Sequence, residues 1–179
     1  MKIWYDCEFL EDGRTIDLIS IGMVAEDDRE LYAVNADMPW KRILRHDWLM
    51  ENVVPSLPII RHDGIRPFKS PLLDRSHPAV KPKAVIANEV RDFIQATPDV
   101  ELWAWYGAYD HVRLMQLWGA MIDKPKGVPM WTNDLRQECY RLGDPRVPEQ
   151  AKGEHNALAD ARHNRRIDEA LAAVRGETR

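Results

Sequence analysis

The chain opens on an alternation. Ile3, Tyr5, Cys7 and Phe9 fall on one side and Trp4, Asp6 and Glu8 on the other, the period of a β-strand over residues 2–9. An Asp-Gly pair at 12–13 marks a turn. Residues 15–25 are a largely apolar run rich in Ile and Val, as expected of a strand covered on both faces. Acidic residues 26–30 mark a second turn, and 31–34 return as a third strand. The pattern predicts an antiparallel meander of three strands.

The patterning then weakens from 37 to 82. Residues 37–52 predict one helix, with Pro39 near its start and Trp40, Ile43, Leu44, Trp48 and Leu49 as its apolar positions. Residues 55–82 hold six prolines and several basic residues with little periodicity. They read as a long surface excursion from a single domain spanning 1–179, not as a second domain. A loop of such length tends to be functional or flexible.

Order resumes at 83–96, where Ile86, Val90, Phe93 and Ile94 mark one helical face. Residues 100–106 predict a buried strand, 110–118 a short helix and 129–132 a small strand. A helix over 133–142 stops at Gly143. The last helix covers 156–174, with Ala161, Asn164, Ile167, Leu171 and Val174 near one stripe. The order β-β-β-α-β-α-β-α predicts an α/β fold: a mixed sheet, three strands antiparallel and the later ones parallel to the first, flanked by helices.

Composition narrows the class. Apolar content of 45% and charged content of 30% are those of a soluble globular protein. No stretch reaches the roughly 20 apolar residues that span a bilayer, and MKIWYDCEF does not read as a signal peptide. Cys7 and Cys139 form neither a metal-ligand spacing nor a disulfide framework, so a reducing cytoplasm is the simplest compartment. The net charge is −4. Setting aside Asp6, Glu8, Asp110 and Asp160 leaves 25 acids against 25 Lys and Arg. A nucleic-acid substrate would then be held end-on, over few phosphates.

Those four acids carry the candidate chemistry. Asp6 and Glu8 leave one face of the first strand, roughly 6.5–7 Å apart along the chain. Two unpaired ionised acids inside an apolar run are expensive to desolvate, and hard cations with oxygen ligands remove the cost. A plainer reading, acids reaching the strand end to meet water, stands level with it. Asp110 follows LWAWYGAYD and opens a helix; as a lone residue it reads better as an N-cap. Five helical residues turn the chain about 140° past a full circle, so His155 and Asp160 share a site only if His155 precedes the helix. Alone, Asp160 is more simply paired to Arg162 or Arg165. Together the acids can converge at one sheet edge and hold two Mg²⁺ or Mn²⁺ ions about 4 Å apart, the spacing used for in-line phosphoryl displacement. Histidine titrates near working pH, which suits His155 to taking a proton from water.

D-x-E at 6–8, an aromatic-Asp pair at 109–110 and H-x-A-x-x-D at 155–160 resemble the three motifs of the DEDDh 3′→5′ exonucleases, which include RNase T, oligoribonuclease and polymerase proofreading subunits. The segments YDCEF, IDLISIGMVAED, ELWAWYGAYDHV and LWG resemble a group of small actinobacterial exoribonucleases. The resemblance implies a ribonuclease-H-like fold and two divalent ions. Asp6 would bridge both, Glu8 and Asp160 would serve the ion that holds the attacking water, Asp110 the other, and His155 would be the general base. Phe9 and Leu10 would hold the terminal nucleotide through backbone amides and an apolar wedge. The family's asparagine four residues before the second-motif Asp is here Tyr106, for which stacking on a base is the replacement considered.

The resemblance also implies a homodimer. Trp4, Trp103, Trp105 and Trp118 read as packing; Trp40 and Trp48 are candidates for the substrate groove or a subunit interface. Lys69, Arg75, Lys81 and Lys83 are candidate phosphate contacts, with a solvated loop as the equal alternative. An exoribonuclease releasing nucleoside 5′-monophosphates from RNA 3′ ends is the favoured function. A DNA 3′→5′ exonuclease and a catalytically silent nucleic-acid-binding module are the alternatives. Accidental motifs in a non-nuclease would leave Asp6, Asp110 and Asp160 far apart.

Overall fold

The computed structural model describes residues 1–60 and 71–176. The predicted meander is present as β1 (Lys2–Glu11), β2 (Ile16–Ala25) and β3 (Glu30–Asn35), paired antiparallel in sequence. Its first turn is closed by Asp12, whose Oδ1 accepts the amides of Arg14 and Thr15 at 3.0 and 2.8 Å.

The helix expected over 37–52 is two: α1 (Trp40–Ile43) and α2 (Asp47–Asn52). His46 breaks it by adopting extended φ/ψ and capping α2, its Nδ1 accepting from the Leu49 amide at 3.3 Å. The described parts of the excursion are more ordered than their sequence suggests. A 3₁₀ turn (Val54–Ser56) leads to β4 (Ile59–Ile60), which pairs antiparallel with β5 (Leu72–Leu73). Then β6 (Val80–Lys81) joins β3 in parallel, an edge strand absent from the expectation.

The rest follows as α3 (Lys83–Gln95), β7 (Glu101–Ala104), α4 (Ala108–Met115), β8 (Asn133–Asp134), α5 (Leu135–Arg141) and α6 (Ala157–Arg175). The main sheet runs β6-β3-β2-β1-β7-β8, with β7 parallel to β1 and β8 parallel to β7. The α/β class and the mixed sheet flanked by helices are as expected. Some details differ. The strand expected over 100–106 ends at Ala104, because Tyr106 takes a left-handed turn (φ 53°) and Asp134 Oδ2 accepts the Gly107 amide at 2.8 Å. The small strand falls at Asn133–Asp134, beyond 129–132, and Val174 at the end of α6 is exposed.

The sheet's two faces differ. On one, Ile3, Tyr5 and Cys7 pack with Ile86, Val90 and Ile94 of α3 and Leu114 of α4. On the other, Trp4 packs with Leu135, Ile167 and Leu171 of α5 and α6. At the far end of that second face, Leu10 and Ile19 pack with Ile43, Leu49, Val53 and Val54. Along β1 the second face therefore reads Trp4, Asp6, Glu8, Leu10: apolar at both ends and acidic between. No helix among the described residues is long and apolar enough to cross a membrane.

Candidate active site

Between the two apolar clusters Asp6 and Glu8 leave β1, as the alternation predicts. Just after Glu8 the ladder shifts, from Glu8 opposite Ser20 to Phe9 opposite Leu18. Ile19 is thus an extra residue on β2, a bulge of the kind found beside functional sites. Asp6 lies opposite Gly22. A β-carbon at Gly22 would fall 2.3 Å from the backbone of Ala157 and Leu158, so glycine here lets the start of α6 rest directly on the strand.

That seat brings in Asp160. Asn156 caps α6, its side chain accepting from the Ala159 amide at 3.1 Å, and Asp160 follows one turn in. His155 precedes the cap at φ 62°, as the five-residue spacing requires. Carboxylate oxygens of Asp6, Glu8 and Asp160 lie within 4.8 Å of one another. Asp110 stands beside this trio. It lies inside the first turn of α4, not at the cap, which is Gly107. Pairing of β1 with β7 stops at Trp4, which leaves the Cys7 amide without a strand partner on that side. Asp110 Oδ1 accepts it at 2.8 Å, between Asp6 and Glu8.

Four acids in one place are costly without a counter-charge. Burial, then the charges of Asp110, Glu8 and Asp160, push the Asp6 carboxyl well above the usual range. Burial and the Asp160 and Asp110 charges raise Glu8 to about 8. Burial raises Asp110 to about 7 against the pull of the Cys7 amide. Burial also raises Asp160, opposed by Gln150, whose Nε2 donates to Asp160 Oδ1 at 2.6 Å. The ion pairs of the described residues include none of the four. An all-oxygen donor set lacking a basic partner fits hard divalent cations.

Of the four acids, Asp6 and Asp160 line a cleft of about 590 Å³, together with His155, Gln150 and Trp105. Of the expected substrate contacts, Phe9 is half-buried and stacks on Tyr109, ring centroids 6.1 Å apart. Leu10 is 4% exposed, its side chain packed in the second apolar cluster rather than standing out as a wedge. Tyr106 is 64% exposed, edge-on to Trp105 at 5.5 Å. Trp40 is partly buried against the second cluster, whereas Trp48 is 49% exposed and meets the His155 ring edge-on at 4.8 Å. Among the basic candidates, Lys81 pairs with Glu89 at 2.7 Å and Arg75 donates to the Ala36 carbonyl. Lys69 lies outside the described residues.

No protein-family model matches the chain. Two curated proteins named 3′-5′ exoribonuclease, from two strains of Mycobacterium tuberculosis, are each 43% identical to it over 164 residues, 90% of this chain and 88% of theirs. The chain belongs to this 3′-5′ exoribonuclease family. Among solved structures, S. pombe Pop2p in its Mg²⁺- and Mn²⁺-bound form aligns over 98% of this chain and 84% of its own, at 13% identity and a TM-score of 0.49.

The candidate site also draws on residues that sequence reasoning did not single out. Ser56 Oγ lies 2.7 Å from the His155 carbonyl oxygen, across 99 residues of chain. Gln150 and Gly22 are the others. Gly22 had a readable signal, a glycine inside a largely apolar buried strand, which marks close backbone approach. Ser56 and Gln150 had none, since neither sits in a pattern.

Proposed function

We propose that this chain hydrolyses RNA from the 3′ end with two divalent cations and releases nucleoside 5′-monophosphates. The observation that carries the reading is the meeting of Asp6, Glu8 and Asp160 oxygens within 4.8 Å, none of them in an ion pair among the described residues. In this reading Asp6 would serve both ions, Glu8 and Asp160 one of them and Asp110 the other. When bound, Mg²⁺, with Mn²⁺ as substitute, supplies Lewis-acid charge to the scissile phosphate and to the attacking water. Asp110 keeps one oxygen on the Cys7 amide, which fixes its carboxylate while the second oxygen stays available. Gln150 does the same for Asp160. His155 accepts the water's proton on its imidazole. Phe9, the Leu10 backbone and Tyr106 contact the terminal nucleotides.

The whole chain is taken to act as one exonuclease domain, as a homodimer in the reducing cytoplasm. Support for the dimer comes from the segment joining α4 to β8, where Met121, Ile122, Met130 and Trp131 are all exposed. The two cysteines are free and buried, compatible with a reducing compartment.

Matched single-stranded RNA and DNA oligonucleotides labelled at the 3′ end test the activity. Labelled 5′-monophosphate is expected from RNA in Mg²⁺ or Mn²⁺, with none in EDTA or from Asp6→Ala. Undiminished release in EDTA would overturn the metal-dependent mechanism. Faster release from DNA would overturn the choice of substrate, because the 2′-hydroxyl is what separates the two.

A further inference from the structure

His155 sits at a left-handed φ of 62°, where a side chain bearing Cβ is disfavoured. Such a conformation persists when the surroundings fix it. Here part of the fixing comes from the segment that joins β3 to β6. Ser56 Oγ lies 2.7 Å from the His155 carbonyl oxygen and 2.8 Å from that of Val53, so its single proton is shared between them. The Ser56 carbonyl in turn accepts from Asn156 Nδ2 at 3.4 Å. Trp48, one helix earlier, sets its ring edge-on to the imidazole, 75° between planes.

The platform behind these contacts is rigid. Val53 and Val54 are fully buried in the second apolar cluster and Leu57 nearly so, which brackets Ser56 with core residues on both sides. The acids' own fixings are separate: Cys7 for Asp110 and Gln150 for Asp160. Ser56 touches none of the acids, and its hydroxyl meets the backbone of His155, not the ring.

We propose that Ser56 is a positioning residue for the reaction: its hydroxyl holds the His155 backbone in the left-handed turn that aims the imidazole into the catalytic cleft. The inference rests on His155 being the general base. Because the hydroxyl acts through geometry, its removal alters the proton-transfer step and leaves substrate and cation binding intact.

Steady-state kinetics of the full chain on a short single-stranded RNA in Mg²⁺ test this with Ser56→Ala, Ser56→Thr, His155→Ala and the Ser56→Ala/His155→Ala pair. Ser56→Ala is expected to lower kcat about tenfold, the scale of a small misplacement of a catalytic group. KM and Mn²⁺ affinity by calorimetry should stay at the parent values, and Ser56→Thr should recover most of kcat. Added to His155→Ala, Ser56→Ala should cost nothing more, because the group it positions is gone. Losses that multiply, a loss carried in KM or Mn²⁺ affinity, or a parent-like kcat in Ser56→Ala while His155→Ala is impaired would each overturn the inference alone. A parent-like kcat in His155→Ala would overturn the base assignment and this inference with it. Should Ser56→Ala melt below the assay temperature, Trp48→Ala at its half-exposed position replaces it in the cycle. The same non-additivity is expected there, and multiplying losses would be the contrary result.

Discussion

Asp6, Glu8, Asp110 and Asp160 share one predicament, burial and each other's charge, which amide donors ease only at Asp110 and Asp160. That predicament has a pH signature. Glu8 is raised to about 8 and Asp110 to about 7, whereas carboxyls in an unfolded chain titrate near 4. Between those values the folded state binds more protons than the unfolded state, so stability falls as pH rises from about 4 to about 8. In EDTA the melting temperature should therefore decline from roughly pH 5 to pH 8, and Mg²⁺ or Mn²⁺ should restore more of it at the upper end. Thermal melts across that range check this; a flat profile in EDTA would contradict it. The acids and His155 were legible in sequence only as a set: alternation puts Asp6 and Glu8 on one face and the five-residue spacing needs His155 ahead of the helix, but Asp110 and Asp160 gained meaning from the order of the motifs and their resemblance to the exonucleases. Ser56 and Gln150 were not, because their partners lie 99 and 10 residues away and are chosen by packing.

At the scale of elements, the site depends on how α6 meets the sheet. Gly22 lets the helix start rest on β2, and the same helix carries Asp160 with His155 just ahead of it. Its other end is tied down by Asp168, 2% exposed, which accepts from Lys2 Nζ, Trp4 Nε1 and Arg175. With that end fixed, a methyl at Gly22 must lift the end that carries the chemistry. Gly22→Ala is expected to cost about 1–3 kcal/mol by overpacking and to lower turnover by more than its stability loss explains. Urea unfolding beside kcat at a temperature where the variant is folded measures both; full turnover in a folded variant would contradict the seating of α6. Most elements were readable from period. The exceptions have physical causes: His46 interrupts the 37–52 helix to cap α2, β7 yields to the turn that Asp134 holds, and β6 is two residues long, too short for any period to show.

For the molecule as a whole, charge sets how substrate is held. A chain of net charge −4, whose local acid excess would be taken up by cations under the proposed mechanism, is suited to gripping a substrate end rather than a long stretch of backbone. Each phosphate neutralised on a single strand contributes about −0.7 to the slope of log affinity against log salt. An end-on grip on about two or three phosphates thus predicts a slope near −2 or shallower, read from Mn²⁺-free binding of labelled RNA by Asp6→Asn across a salt series. A markedly steeper slope would mean a longer track than the end-on grip allows. The central claim is that acids from β1, α4 and α6 converge to hold two cations. Anomalous diffraction from crystals grown with Mn²⁺ and a nucleoside 5′-monophosphate tests it most directly. Two manganese peaks are predicted, both touching Asp6, one with Glu8 and Asp160 and the other with Asp110. Peaks away from these carboxylates, or none at them in protein that is active with Mn²⁺, would contradict the account.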